Sequence, residues 1–123
     1  MNGKKSDKFD IVLPAQLIAV ASSLENIGHN TYAWRWRDAL TVIKILIGKK
    51  IFVLGGDVYL RINDKFEAIG DNWYVNKENY IASELDLSTS HKISIEYIDA
   101  YVKRNGEDYY FSIVADFNQV SNE

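Results

Sequence analysis

Two aspartates, Asp57 and Asp71, are the residues of this 123-residue chain best suited to acid–base chemistry, because a hairpin signal lies between them. Val58, Leu60 and Ile62 alternate with Asp57, Tyr59 and Arg61, and the turn cluster Asn63-Asp64-Lys65 leads into a second run. Pairing Ile62 with Phe66 sets Leu60 opposite Ala68 and Val58 opposite Gly70, with the opposite charges of Arg61 and Glu67 across from each other. A slip that places Ile62 against Glu67 spoils both faces. The preferred register needs a three-residue loop in which Lys65 is an awkward left-handed residue, and it makes Asp57 face Asp71 at the open end of the hairpin. Three readings follow. The pair is an acid/base dyad of the glycosidase kind, or both carboxylates accept backbone N–H groups where the strands diverge. Otherwise they form an acidic hook for a cation-bearing partner, with Tyr59, Trp73 and Tyr74 beside them.

The rest of the chain offers catalysis little. There is no cysteine, which removes disulfides, thiolate metal sites and a cysteine nucleophile together. His29 and His91 are expected in or beside loops, without a second ligand at metal-site spacing, so neither metal nor cofactor is expected. No nucleophile elbow, phosphate-cradling loop or HExxH is present, and Gly55-Gly56 reads as a bend between strands. Trp34-Arg35-Trp36-Arg37 looks like a base-stacking patch, but on a helix the two indoles point about 200° apart. Packing of Trp36 in the core is the better expectation. A hydrolase using Asp57 and Asp71 therefore ranks below a binding protein.

Charge is unevenly distributed. Residues 1–50 carry eight Lys/Arg against four Asp/Glu, and residues 51–123 carry six against thirteen. An acidic second half suits a basic protein partner and steers its approach, whereas phosphate binding needs clustered Lys/Arg, so nucleic acid is not expected there. Met1 to Asp10 is polar, without the apolar core of a secretion signal, and runs such as Ile51–Leu54 are far too short to span a bilayer. A cytoplasmic protein without membrane contact is expected.

The elements that must hold the hairpin can be read from periodicity. Pro14 opens a helix in which Leu17, Val20, Ala21, Leu24 and Ile27 recur at helical spacing and Gly28 supplies the stop. Asn30 or Thr31 caps a second helix, with Trp36, Ala39, Leu40, Ile43, Leu46 and Ile47 on one face and Gly48 at its end. Residues 88–106 are two-sided. Ile93 to Tyr97 alternates like a strand, yet Lys92, Glu96, Asp99 and Lys103 make a polar stripe at helical spacing opposite Ile95, Ile98, Tyr101 and Val102. Helix is preferred, with Gly106 as its stop. Tyr109 to Phe117 reads as a strand. The expectation is an α+β fold, a small antiparallel sheet of about four strands packed on two N-terminal helices and one later helix. A single domain over residues 1–123 is expected, with residues 1–10 as a flexible lead.

Two motifs add a family resemblance. Ile51-Phe52-Val53-Leu54-Gly55-Gly56-Asp57-Val58-Tyr59 followed by Asp71-Asn72-Trp73-Tyr74 resembles the immunity protein 40 family of bacterial polymorphic toxin systems. Tyr97-Ile98 with Tyr101, then Tyr109 to Val114, is similar to the family's C-terminal part, and the likeness runs over residues 33–117. It implies a cytoplasmic protein, not an enzyme, that neutralises a cognate toxin domain by occlusion. It names neither the toxin's activity nor a catalytic residue. The expected contact residues are Asp57, Tyr59, Glu67, Asp71, Asn72, Trp73, Tyr74 and Glu78. A general interaction or scaffold domain is the alternative, with the oligomeric state open.

Overall fold

The computed structural model describes residues 7–75 and 84–117. In chain order the elements are α1 (Asp7–Val12), α2 (Ala15–Ala19), β1 (Ser22–Ser23), a 3-10 turn (Glu25–Ile27), β2 (Tyr32–Arg35) and α3 (Trp36–Gly48). They continue with β3 (Val53–Ile62), β4 (Lys65–Tyr74), α4 (Glu84–Asn105), β5 (Tyr109–Ser112) and β6 (Val114–Ala115). The fold is α+β, as expected, with six strands in place of about four. Every pairing is antiparallel, in the order β1-β2-β5-β3-β4, and β6 pairs with the start of β3. The C-terminal β5 therefore sits mid-sheet, with β2 on one side and β3 on the other, and β4 forms an edge.

The N-terminal region departs most from expectation. Residues 7–10 belong to α1, not to a flexible lead, and Phe9 is buried; residues 1–6 and 118–123 lie outside the described region. The helix expected across residues 15–27 ends at Ala19, because its two best apolar residues go to opposite sides of the sheet. Leu17 joins the main core with α3 and α4, whereas Leu24 and Ile27 cover a second cluster of Ala33, Tyr59, Phe66 and Tyr110. A spacing of seven fits one helical face equally well, so periodicity alone could not separate the cases. The second helix begins at Trp36, not near Thr31, since Tyr32–Arg35 is a strand paired with β1 and β5. Trp34 is then the fully buried indole and donates Nε1–H to the Leu17 carbonyl at 2.9 Å. Trp36 is only half-buried, with the Arg37 guanidinium 4.5 Å from its ring centroid.

α3 buries Ala39, Val42, Ile43 and Leu46, close to the expected face. The ambiguous segment is a helix, α4, and Gly106 with φ of 95° ends it by donating its N–H to the Val102 carbonyl. His91 thus lies on a helix, not beside a loop. α4 has a mixed buried stripe of Leu87, Ser90, Ser94, Ile98 and Tyr101. Ser90 explains its own burial: Oγ donates to the Val53 carbonyl at 2.7 Å and accepts the Val53 N–H at 3.1 Å. One hydroxyl satisfies both polar groups of a buried residue at the start of β3.

The hairpin register also differs. Ile62 pairs with Lys65, so the loop is the two residues Asn63-Asp64, both left-handed with φ of 53° and 68°. That geometry matches the twist of the strands, and Asn and Asp tolerate it. Lys65 is a strand residue and needs no unusual backbone. Arg61 faces Phe66, not Glu67, and pairs instead with Asp64 at 3.1 Å. Farther along, Tyr59 pairs with Ala68 and Asp57 with Asn72, so Ile69-Gly70-Asp71 bulge opposite the single residue Val58. Gly70, with φ of 88°, lies in this bulge.

Candidate functional site

β3, β4 and β6 meet around a groove of about 370 Å³ lined by Leu54, Gly55, Gly56, Asp57, Asn72, Trp73, Tyr74, Val75 and Val114. Both sequence motifs converge here, and the backbone explains why their residue types are needed. A Cβ on Gly56 would collide with the Ser112 carbonyl oxygen and with the Trp73 indole. A Cβ on Gly55 would meet the Trp73 carbonyl, and Gly55 holds φ at 145°, a region side chains avoid. The glycines therefore clear the floor on which Trp73 lies. The other side of its ring stacks on Tyr97 at 5.1 Å and 27°, and its Nε1–H donates to Ser94 Oγ at 2.9 Å.

Beyond Trp73 the aromatic contacts continue from Tyr97 to Tyr101, and from Tyr101 to Tyr109 and Phe111. The Tyr101 hydroxyl donates to Asp71 Oδ2 at 2.7 Å, tying the bulge to α4. Burial first, and then the Asp71 carboxylate, pushes the Tyr101 phenol well above its ordinary range. Tyr97 is raised by burial and then by the charge of Asp71, partly offset by Arg104, with Asp57 adding a smaller push. Both phenols stay neutral beside a negative field.

The expected contact residues divide into two groups. Tyr59 is 1% exposed, with its hydroxyl 3.2 Å from His29 Nδ1, and Trp73 is 6% exposed. These two are core residues that the fold does not offer at its surface. Asp71 is exposed but its carboxylate is engaged by Tyr101. Asp57, Asn72 and Tyr74 face solvent, and Tyr74 is 74% exposed. Glu67 is exposed too, opposite Leu60 toward the hairpin tip and outside the groove lining. Glu78 lies outside the described residues. Alternation along β4 accounts for the division, since Asp71 and Trp73 turn toward α4 while Asn72 and Tyr74 take the other direction.

The facing aspartates do not form. The bulge places Asn72, not Asp71, opposite Asp57, and the Asp57 N–H is satisfied by Ser112 Oγ at 3.1 Å. The register that motivated an acid/base dyad is therefore absent. Among the described residues no group of three or more His, Cys, Asp or Glu is placed to hold a metal ion, and no helix is long and apolar enough to cross a membrane. What the groove offers is an apolar wall, a protruding tyrosine, an amide and a carboxylate, which suits recognition better than bond cleavage.

Sequence reasoning missed Val114, 46% exposed on the groove's rim, because β6 is displaced from β5 by a break at Ile113 that alternation does not reveal. It also missed Ser94 as the partner of Trp73. The signal was present in Leu87, Ser90, Ser94, Ile98 and Tyr101 at helical spacing, but two serines disguised the stripe.

The model of the family described as Immunity protein 40 matches residues 23–115, well over half of the chain. No curated protein and no solved structure gives a significant match.

Proposed function

Because the chain belongs to the Immunity protein 40 family, we propose that it is a cytoplasmic protein that binds a cognate toxin domain and neutralises it by occlusion, without catalysis. The observation that carries the choice of surface is that the groove at the end of the sheet is lined by the very residues of the two motifs, with Tyr74 standing out of it. A tyrosine of that exposure supplies a large, nearly rigid contact area, and Tyr is among the residues that dominate binding hot spots. Asp57 and Asn72 beside it set polarity, and the excess of acidic residues in the second half favours a partner with basic groups at this end. Asp71 and Trp73 support the surface from behind in this reading, through Tyr101 and Ser94.

Co-expression with the toxin domain encoded directly upstream tests the proposal. Cells carrying the toxin domain should grow when this chain is present and stop growing when it is absent. The double variant Tyr74→Ala/Asp57→Lys should lose protection while retaining the fold, since both side chains are exposed. Equal killing with and without the wild-type chain contradicts the proposal.

A further inference from the structure

The helical side of the molecule carries a groove of opposite character. α3 and α4 pack against each other, and between them lies a recess of about 410 Å³ walled by Leu40, Thr41 and Lys44 on one side and His91, Lys92 and Ile95 on the other. A second recess of about 290 Å³ continues past His91 to Ile47, Lys50 and Leu87. The alignment follows from spacing. Leu40, Lys44 and Ile47 fall at i, i+4 and i+7 on α3, as Ser88, Lys92 and Ile95 do on α4, so two similar stripes run side by side. The floor is apolar, with Leu40 and Ile95 half-buried, while Lys44, Lys50 and Lys92 are exposed and form no ion pair among the described residues. Among the described residues, Glu96 is the single acidic residue lining either recess.

We propose that this groove is a second docking surface, for an acidic amphipathic segment of a protein partner. Apolar side chains of that segment enter between Leu40 and Ile95, and its carboxylates meet Lys44, Lys92 and Lys50. An apolar groove alone would accept any amphipathic helix. Among the described residues, three cations without an ion pair against one carboxylate select the sign of the partner and reject a basic one. The stretch from Leu40 to Ile47 is two turns, about 10 Å, which suits a short helical segment laid in the groove. The floor's aliphatic character favours such a segment over nucleic acid, whose bases would seek exposed aromatic rings. This surface is separate from the sheet-end groove, and the inference does not depend on toxin binding there.

The test is an NMR titration of the ¹⁵N-labelled chain with three probes: a synthetic amphipathic Leu/Glu peptide, its Leu/Lys counterpart and a short DNA duplex. The Leu/Glu peptide should shift the amides of residues 40–48 and 87–96, and added salt should weaken it. The exposed double variant Lys44→Glu/Lys92→Glu should bind it about tenfold or more weakly, and the milder Lys44→Gln/Lys92→Gln should fall between. Tyr74→Ala should leave this titration unchanged, whatever it does to toxin binding. The proposal is overturned if the Leu/Glu peptide leaves those amides unmoved, if the Leu/Lys peptide binds equally, or if the duplex binds in preference.

Discussion

At the scale of single residues, the site depends on atoms that are missing as much as on those present. Gly56 lets the Trp73 indole lie against the sheet while its nitrogen reaches Ser94. Gly56→Ala should therefore destabilise the protein by about 1–3 kcal/mol or more, since the obstructing Ser112 atom is a backbone carbonyl that cannot rotate away. The urea midpoint checks this, and the near-ultraviolet signal of Trp73 should change with it. Ser90→Ala is the complementary case. It removes few atoms but leaves the N–H and C=O of buried Val53 without that hydroxyl, at an expected cost of about 1–3 kcal/mol. An unchanged midpoint in Ser90→Ala would show that the hydroxyl is dispensable. How much of the site is legible from sequence is also decided at this scale. Gly55-Gly56 and Trp73 stand out as motif residues, but nothing local says that Trp73 faces inward and Tyr74 outward. That follows from the two-residue loop, which moves the register by one, and from the bulge opposite Val58, which moves it by two more; together they turn an expected aspartate pair into Asp57 opposite Asn72.

At the scale of elements, α4 holds the edge of the sheet through polar contacts as well as packing. Ser90, Ser94 and Tyr101 successively engage β3, Trp73 and the β4 bulge. This explains why the segment looked ambiguous, since its buried stripe mixes hydroxyls with aliphatic groups. It also gives a pH dependence. Tyr101 and Tyr97 have folded-state pKa values raised above the unfolded value, chiefly by burial. The stability they support is complete below the ordinary phenol pKa of about 10 and falls as pH rises beyond it, because the unfolded chain releases those protons more readily. Urea midpoints should therefore decline above about pH 10, and Tyr101→Phe, with no proton to lose, should flatten the decline. An equally steep decline in Tyr101→Phe would place its origin elsewhere. Elements with one clear period, such as α3 and the hairpin strands, were readable in advance. The stretch from Leu17 to Trp34 was not, because its apolar residues serve both faces of one sheet in turn.

At the scale of the whole molecule, the two grooves differ in the sign of their charged groups. The sheet end presents Asp57 and Tyr74, and the helix pair presents Lys44 and Lys92 across an apolar floor. If the sheet end docks a basic partner, Asp57→Asn should lower the association rate and reduce its dependence on salt while changing dissociation little, which stopped-flow mixing at several ionic strengths would resolve. Stoichiometry tests the claim of occlusion over catalysis most directly. The activity of the toxin domain, titrated with the purified chain, should fall in proportion to added protein and vanish at the equimolar point, with no further loss on standing. Progressive inactivation by a small fraction of an equivalent, or full activity at excess, would contradict the account.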